Sequence, residues 1–425
     1  MLGVGAFTLV SLKSMSVSSL WSLDLLRALQ GACAAATLAG GSATLAASFD
    51  DQNRLRAFSF LGASFGLGLA FGPSVAGYLV NAYGWRSVFM AISSLGVLAL
   101  ILGMVFLQQS RSAEVHKLDW AGLGSFSLAL GLLVWGVMHA MDYGVLEKTS
   151  LLCLALSTFC LLGFIRIERN ALHPALDLAL LRDPRFLGIQ ALPVATCLCF
   201  VVLLVILPIR FITVERFTPA ISGSLLMALS LPLLIMPAVA VRLTRTIKPA
   251  TLTTAGLFIA AAGVYWVSRL PLGTPVISFV LPLVVIGTGT GLPWGLMDGL
   301  SIAIVSKEKI GMATGIFNTT RVASEALVMA LVFVAMSVLI SQELATHAGK
   351  ITVEDIDRAA RAVAVGQLAQ ASHHLPELSV VRLKHAYITA FQQLLAALSG
   401  LTVILASLVR LSLDRRVGAT SGKMI

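Results

Sequence analysis

The stretch SVFMAISSLGVLALILGMVFL, residues 87–107, contains no charged side chain over its whole length. A bilayer core about 30 Å thick requires roughly 20 apolar residues in a spanning helix, so this stretch is long enough to cross it. Its apolar residues run continuously and do not alternate with polar ones, as they would in a strand of a membrane barrel. Because a segment in lipid must satisfy its own backbone hydrogen bonds, the stretch predicts a transmembrane helix.

Runs of the same kind follow one another along the chain. The 425 residues are 57% hydrophobic and only 12% charged, with a mean hydropathy of +0.92, whereas about a quarter of the residues of a soluble domain are charged. This composition excludes a water-soluble fold and predicts an all-α polytopic membrane protein with about 12 spanning helices. The predicted spans lie at 1–17, 20–48, 58–80, 87–107, 120–140, 149–165, 186–209, 220–240, 250–268, 276–305, 311–340 and 386–411.

The basic residues indicate topology. A formal net charge of +10 would suggest nucleic acid as the partner of a soluble protein. Here the charges lie in short connections between apolar runs, so no nucleic-acid partner is predicted. If Met1 is cytoplasmic, the short outer loops hold only Lys13, Arg86, Lys148, Arg210, Arg216 and Arg269. The positive-inside rule therefore predicts that both termini face the cytoplasm.

No grouping for metal binding, disulfide formation or catalysis is evident. The cysteines lie inside apolar runs, and the histidines of the last long connection lack metal-ligand spacing. These residues are Cys33, Cys153, Cys160, Cys197 and Cys199, and His347, His373, His374 and His385. The sequence contains no nucleophile elbow, phosphate-binding loop, zinc-protease motif or dinucleotide loop. We therefore predict no metal, no cofactor and no enzymatic activity, and expect an ion gradient rather than ATP as the energy source.

The longest connection runs from about 341 to 384. Within it, VEDIDRAARAVAVGQLAQ, residues 353–370, alternates polar and small apolar residues. This pattern predicts a surface helix outside the membrane.

The segment GLAFGPSVAGYL, residues 68–79, has glycines at positions that favour close helix packing. Gly68, Gly72 and Gly77 remove side chains so that a neighbouring backbone can approach, and Pro73 removes an internal hydrogen bond. The segment resembles the antiporter motif of major facilitator exporters, with Ala76 in place of one common glycine. Ordinary small-residue packing is the alternative interpretation.

Upstream, LLRALQG, residues 25–31, resembles the Arg-x-x-Gln-Gly motif that the same exporters link to proton coupling. A charge at the centre of a membrane helix costs about 2.5 to 3.5 kcal/mol on insertion scales, so Arg27 requires a partner. A local salt bridge with Asp24, one turn earlier, is the structural alternative to a role in proton coupling. Gln30 of this motif is a candidate for the substrate cavity.

Further segments extend the resemblance over nearly the whole chain. They are GWRSVF at 84–89, LDWAG at 118–122 and HPALDLALLRDPRF at 173–186, and they resemble connections of the fourteen-helix drug:proton antiporter branch of the major facilitator superfamily. The resemblance implies a partial N-terminal half at 1–107, two inserted helices at 108–185 and a C-terminal six-helix half at 186–425. It also implies a multi-pass protein of a bacterial inner membrane.

Aligned with this branch, Met1 falls in the third helix of the family. The first two helices, and the basic Gly/Asp/Arg loop motif between them, are then expected to be missing. A start codon assigned too late and a truncated gene are the two explanations, and the abrupt start inside a span favours the first. RLRAFSFLGASFG at 54–66 and KEKIGMATGIFNT at 307–319 also share a basic loop followed by a small-residue helix, as in transporters built from repeats.

The second half places three charged residues within predicted spans. Arg321 and Glu325 are four apart and share a helix face, whereas Asp298 has no evident partner on its own face. A titrating acid in the membrane is the simplest proton carrier, so Glu325 and Asp298 are the preferred candidates. A neutralised structural pair is the alternative for Arg321 with Glu325. Trp294, Met297 and Asn318 are candidates for substrate contact.

The resemblance implies a secondary transporter that exports drugs or other amphipathic small molecules in exchange for protons, by alternating access. One alternative is export of a native metabolite, siderophore or organic acid. Another is a membrane scaffold or sensor that binds without transporting. The long outer connection leaves room for a periplasmic adaptor protein, as in some members of the branch.

Overall fold

The computed structural model describes residues 1–49, 51–106, 119–144, 147–170, 180–305, 310–346, 352–376 and 378–413. These residues form helices joined by short connections, with no strand among them. Within them, nine helices are long and apolar enough to cross a membrane. The predicted all-α membrane fold is confirmed. His347, the first residues of HPALDLALLRDPRF and of KEKIGMATGIFNT, and all positions from 414 onward lie outside the described residues.

Every sequence-predicted span coincides for most of its length with a helix, although the spans predicted at 1–17 and 276–305 extend past Ser14 and Ala303, and two further helices lie in the long connection. In chain order the helices are α1 Leu2–Ser14, α2 Leu20–Ser48, α3 Asp51–Tyr83, α4 Arg86–Phe106, α5 Trp120–Tyr143, α6 Lys148–Asn170, α7 Pro184–Val214, α8 Pro219–Leu243, α9 Pro249–Ser268, α10 Val276–Ala303, α11 Ile310–Ala345, α12 Val353–Ala364, α13 Leu368–His374 and α14 Val380–Leu413.

The principal core lies among α7 to α14. Leu203, Leu257, Leu283 and Phe391, from four different helices, are fully buried in it. Glycines bring α9 and α10 together, since a Cβ at Gly256 would lie 2.5 Å from the carbonyl oxygen of Gly289. Small residues of this kind allow membrane helices to pack backbone to backbone.

Helix α3 connects the first part of the chain to this core. It packs against α8 and α10. A Cβ at Gly62 would lie 2.6 Å from the carbonyl oxygen of Trp294, and one at Gly66 would lie 2.9 Å from that of Leu233. The contact therefore depends on glycine at both positions.

The glycines of the antiporter-like segment do not make the close contacts that the sequence predicted. Among the described residues, nothing lies within 4 Å of a Cβ built on Gly68, Gly72 or Gly77. The reason is that α3 approaches α10 and α8 most closely at Gly62 and Gly66, before this segment, and side chains near its C-terminal end such as Tyr78 are exposed. Pro73 lies within α3, which continues through it.

The long connection contains a helix at the predicted place, but one face of that helix belongs to the protein core. Thr352 caps α12 by accepting a hydrogen bond from the backbone N–H of Asp355 at 3.2 Å. Ile356, Ala360 and Val363 are buried in the principal core. Gly366, with φ of 83°, follows the last turn and allows the chain to leave the helix. Helix α12 thus covers one end of the helix bundle.

The α5–α6 pair packs mainly upon itself and touches the core through α11. Asp119 caps α5 by accepting a hydrogen bond from the backbone N–H of Gly122 at 2.9 Å. Ser157 of α6 donates a buried hydrogen bond to the carbonyl oxygen of Ala129 at 2.7 Å. Such a bond between membrane helices replaces water as the partner of a polar group.

Candidate functional site

A buried ion pair joins α10 and α11. Nη2 of Arg321 lies 2.8 Å from both carboxylate oxygens of Asp298, and both side chains are 9% exposed. A charge-assisted contact of this kind is among the strongest hydrogen bonds in proteins. Each charge neutralises the other, so neither residue is isolated in the membrane interior.

A break in α10 positions Asp298. The helix is interrupted at Gly295 and Leu296, just after Pro293. A Cβ at Gly295 would lie 2.5 Å from Cα of Pro237 on α8, so only glycine allows this approach. Asp298 follows in the first turn of the second segment. Irregular backbone at membrane depth is tolerated where it is buried in protein or lines a cavity, and transporters often bind substrate there.

Two aromatic rings enclose the guanidinium. Cζ of Arg321 lies 5.3 Å from the ring centroid of Phe65 on α3 and 4.9 Å from that of Phe317 on α11. These distances are within the range of cation–π contacts. The site therefore joins α3 to α10 and α11, and movement of α3 would alter the surroundings of the charge. Sequence reasoning missed both phenylalanines because aromatic residues are common in apolar spans.

The structure gives Arg321 a partner on another helix. From the sequence, a structural pair of Arg321 with Glu325 along α11 was one alternative, and Asp298 had no evident partner on its own helix face. The structure pairs Arg321 with Asp298 across helices, and in the described part of the chain no hydrogen bond or ion pair joins it to Glu325. Two geometrically good bonds to one carboxylate outweigh a contact along the helix surface.

Helix α11, which carries Glu325, contacts a distorted turn of α7. Cys197 begins a π-helical turn, Cys197–Val201, inside α7. Such turns are rare and frequently occur at functional sites. The carboxylate of Glu325 therefore lies one turn beyond the ion pair on α11.

Near the N-terminus, Arg27 contacts Gln30 instead of Asp24. Nη1 of Arg27 donates to Oε1 of Gln30 at 2.6 Å, and Nε2 of Gln30 donates to Oγ of Ser11 on α1 at 2.6 Å. Gln30 is buried, whereas Asp24 and Arg27 are exposed. No ion pair between Asp24 and Arg27 occurs among the described residues. In place of the salt bridge that was the structural alternative, a hydrogen-bond chain joins Arg27 and Gln30 of α2 to Ser11 of α1.

The candidates for substrate contact lie near the ion pair but are largely covered. Trp294 and Met297 are 5% and 1% exposed and belong to the principal core. The ring of Trp294 lies 6.0 Å from that of Phe200 on α7. Asn318 is half-buried, and its Oδ1 has no hydrogen-bond partner. Contact of Trp294 or Met297 with a substrate would require neighbouring helices to move.

A second buried ion pair lies near the C-terminal end of α7. Arg210, placed in an outer loop by the sequence, is fully buried in the last turns of the helix, and its Nη2 lies 3.3 Å from Oε1 of Glu215. The same nitrogen donates to the carbonyl oxygen of Leu270 at 2.9 Å. Its guanidinium lies 5.0 and 4.9 Å from the rings of Phe279 and Phe391. The pair ties α7 to the α9–α10 connection.

Comparison with known proteins identifies the family. The model of the family described as Major Facilitator Superfamily matches residues 1–329. "Multidrug resistance protein Stp" of Mycobacterium tuberculosis is 26% identical over 363 residues, which are 84% of this chain and 67% of that protein. "Tetracenomycin C resistance and export protein" of Streptomyces glaucescens is 26% identical over 320 residues, 74% of this chain and 59% of that protein.

A solved structure has the same fold. It is a bacterial homologue of the human lysosomal transporter Spinster in an inward-facing, unoccupied conformation, with a TM-score of 0.51 and 15% identity. The alignment covers 97% of this chain and 81% of that one. The match to the family model extends over more than half of the sequence, and the helices have the composition of membrane spans. The chain belongs to the major facilitator superfamily.

Proposed function

We propose that this protein exports amphipathic small molecules in exchange for protons. The observation that carries the proposal is the buried pair of Asp298 and Arg321, with Glu325 one turn further along α11. Ionisable residues inside the membrane are costly and mark ion or substrate pathways. The family and the transporter relatives indicate transport rather than catalysis.

Two carboxylates near one guanidinium provide a means of coupling. Arg321 can neutralise only one full negative charge, so protonation of one carboxylate alters the balance at the other. Substrate release and proton binding are then linked if helix movement changes which acid faces Arg321. Because the guanidinium also contacts Phe65 on α3, such movement involves both parts of the molecule. Alternating access in this superfamily depends on relative movement of this kind.

The proposed class of substrate is inferred from the names of related proteins. Their printed names refer to multidrug resistance and to export of tetracenomycin C. A broad apolar pocket with few polar anchors suits such compounds. We also propose that the chain lies in the bacterial inner membrane with both termini in the cytoplasm, and that it belongs to the fourteen-helix drug:proton antiporter branch. In this proposal residues 1–107 form part of the N-terminal half, 108–185 contain the two inserted helices, and 186–425 form the C-terminal half. A periplasmic adaptor would bind at the outer end, near α12 and α13.

A native metabolite is the second candidate substrate. The observation favouring it is the relative named for tetracenomycin C, a single compound rather than a range of drugs. Resistance to a panel of toxic dyes and drugs, compared with metabolite levels in a deletion strain, separates the two. Broad resistance supports drug export, and accumulation of one cellular compound in the deletion strain supports the metabolite.

Dye efflux from energised cells tests the mechanism. Cells producing the full chain are loaded with a fluorescent amphipathic dye, and efflux is followed before and after a protonophore is added. We expect efflux to stop when the proton gradient collapses. Efflux that continues unchanged would show that protons do not drive the transport.

A further inference from the structure

Helices α7 and α11 contact each other, and both carry buried polar side chains that the ion pair does not use. Gln190 on α7 is 7% exposed, and neither its amide nitrogen nor its amide oxygen has a hydrogen-bond partner. Thr314 on α11 is 4% exposed, and its hydroxyl has none either. Oδ1 of Asn318 is also buried and without a partner. Groups of this kind are rare in native proteins, and each requires an explanation.

These groups share one face of α11. Thr314, Asn318, Arg321 and Glu325 are spaced by four, three and four residues, so their side chains lie on one stripe. Eleven residues of helix span about 16 Å. The stripe therefore reaches from Glu325 to the first turns of α11, where the helix begins.

Gln190 belongs to the facing stripe of α7. Successive spans reverse direction, so α7 and α11 run parallel to each other, and the two helices are in contact. The turn that begins at Cys197 is itself in contact with α11. Gln190 precedes Cys197 by seven residues and Asn318 precedes Glu325 by seven, close to two helical turns in each case. Gln190 therefore shares the α7 face of Cys197, and Asn318 shares the α11 face of Glu325.

We propose that the interface of α7 and α11 holds a file of ordered waters that connects Glu325 to the cytoplasmic end of both helices, with Gln190, Asn318 and Thr314 as its anchors. This inference rests on the proposed proton-coupled transport. A buried water makes about three hydrogen bonds to otherwise unsatisfied polar groups, which is what these side chains offer. Hydroxyl and amide groups both donate and accept, so they can orient such waters in either direction.

The charges around Glu325 fit a proton acceptor at the inner end of this file. Arg321 lies one turn before it on α11 and is held by Asp298 of α10, and Cys197 is the titratable group that faces it from α7. In this arrangement the proton passes between Glu325 and the cytoplasm along α7 and α11.

Isotope exchange at the Glu325 carboxyl tests the water file directly. The purified full chain is moved from H2O to D2O, and the carboxyl band assigned with Glu325→Gln is followed by time-resolved infrared spectroscopy. We expect Gln190→Leu and Asn318→Leu to slow exchange about tenfold, because each removes one anchor of the chain. Gln392→Leu, the same change at the opposite end of the core, where Gln392 donates to the carbonyl oxygen of Leu270, is the matched control.

A second variant separates an effect on the waters from a packing defect. Gln190→Asn keeps an amide and is expected to restore most of the exchange rate, whereas a packing defect would persist. Exchange that is equally fast in the wild type, Gln190→Leu and Asn318→Leu would overturn the proposal. Slow exchange in the leucine variants would support the water file even if transport by the wild type proved independent of the proton gradient. That second result would refute the proposed proton coupling but not the water file.

Discussion

At the scale of single residues, the most informative contact is the one between Asp298 and Arg321. Both side chains are 9% exposed, and two bonds of 2.8 Å join them. Removing one partner of a buried pair leaves the other charge without compensation. Removing both charges together avoids that penalty.

Asp298→Asn is therefore expected to lower the free energy of unfolding by about 3 to 5 kcal/mol. Thermal unfolding of the purified protein in detergent measures the change. The double variant Asp298→Asn with Arg321→Gln is expected to recover part of the loss. Glu354→Gln breaks an exposed pair with Arg358 and serves as the control, with an expected change of at most about 1 kcal/mol. Equal effects of Asp298→Asn and Glu354→Gln would show that the buried pair contributes no more to the free energy of unfolding than an exposed pair.

The buried side chain of Arg210 is also expected to contribute to stability. Its planar guanidinium contacts Glu215, two backbone carbonyls and two aromatic rings at once. A lysine ammonium cannot reproduce that geometry. Arg210→Lys is expected to lower the unfolding temperature by several degrees, whereas Arg269→Lys, whose side chain is exposed, should leave it nearly unchanged. Similar unfolding temperatures for both variants would contradict a structural role for the buried cluster.

At the scale of elements, α3 is the helix whose contacts depend most closely on glycine. Its contact with α10 and α8 requires glycine at 62 and 66, whereas glycines 68, 72 and 77 face open space among the described residues. The packing and the resemblance to the antiporter motif thus point to different positions on one helix. Substitution by alanine distinguishes them, since one methyl group is enough to separate two touching backbones.

Gly62→Ala is expected to destabilise the contact of α3 with α10 by about 1 to 3 kcal/mol, because its Cβ would meet the carbonyl oxygen of Trp294. Gly72→Ala on the same helix is the matched control and is expected to change stability by less than about 0.5 kcal/mol. Thermal unfolding, together with the yield of a disulfide introduced between α3 and α8, measures both. A stable Gly62→Ala paired with an unstable Gly72→Ala would place the essential packing within the antiporter-like segment.

The helices could be predicted from the sequence because apolar length decides where a span lies. Their ends were less predictable: the span predicted to end at 165 continues to Asn170, because α6 extends through its charged residues and buries Glu168. The partner of Arg321 was not predictable either, since spacing along one helix identifies Glu325 but says nothing about Asp298 on another helix. Gln190 gave only a weak signal, as a single polar residue within an apolar run.

At the scale of the whole molecule, the two ion pairs lie toward opposite ends of the helix bundle. Asp298 and Arg321 join the C-terminal part of α10 to the N-terminal part of α11 and contact α3 through Phe65, whereas Arg210 and Glu215 lie at the C-terminal end of α7. A transporter that alternates between two states must exchange contacts at both ends. The pair of Asp298 and Arg321 is the one that contacts the first part of the chain, and Glu325 lies one turn further along α11.

Proton-driven transport in proteoliposomes tests directly whether Glu325 couples transport to the proton gradient. The purified chain is reconstituted, a pH gradient is imposed with the membrane potential clamped at zero, and accumulation of a fluorescent amphipathic substrate is measured for the wild type, Glu325→Gln and Glu354→Gln. We expect accumulation driven by the gradient in the wild type and Glu354→Gln, and only gradient-independent exchange in Glu325→Gln. Equal gradient-driven accumulation in all three proteins would contradict the assignment of Glu325 as the coupling acid.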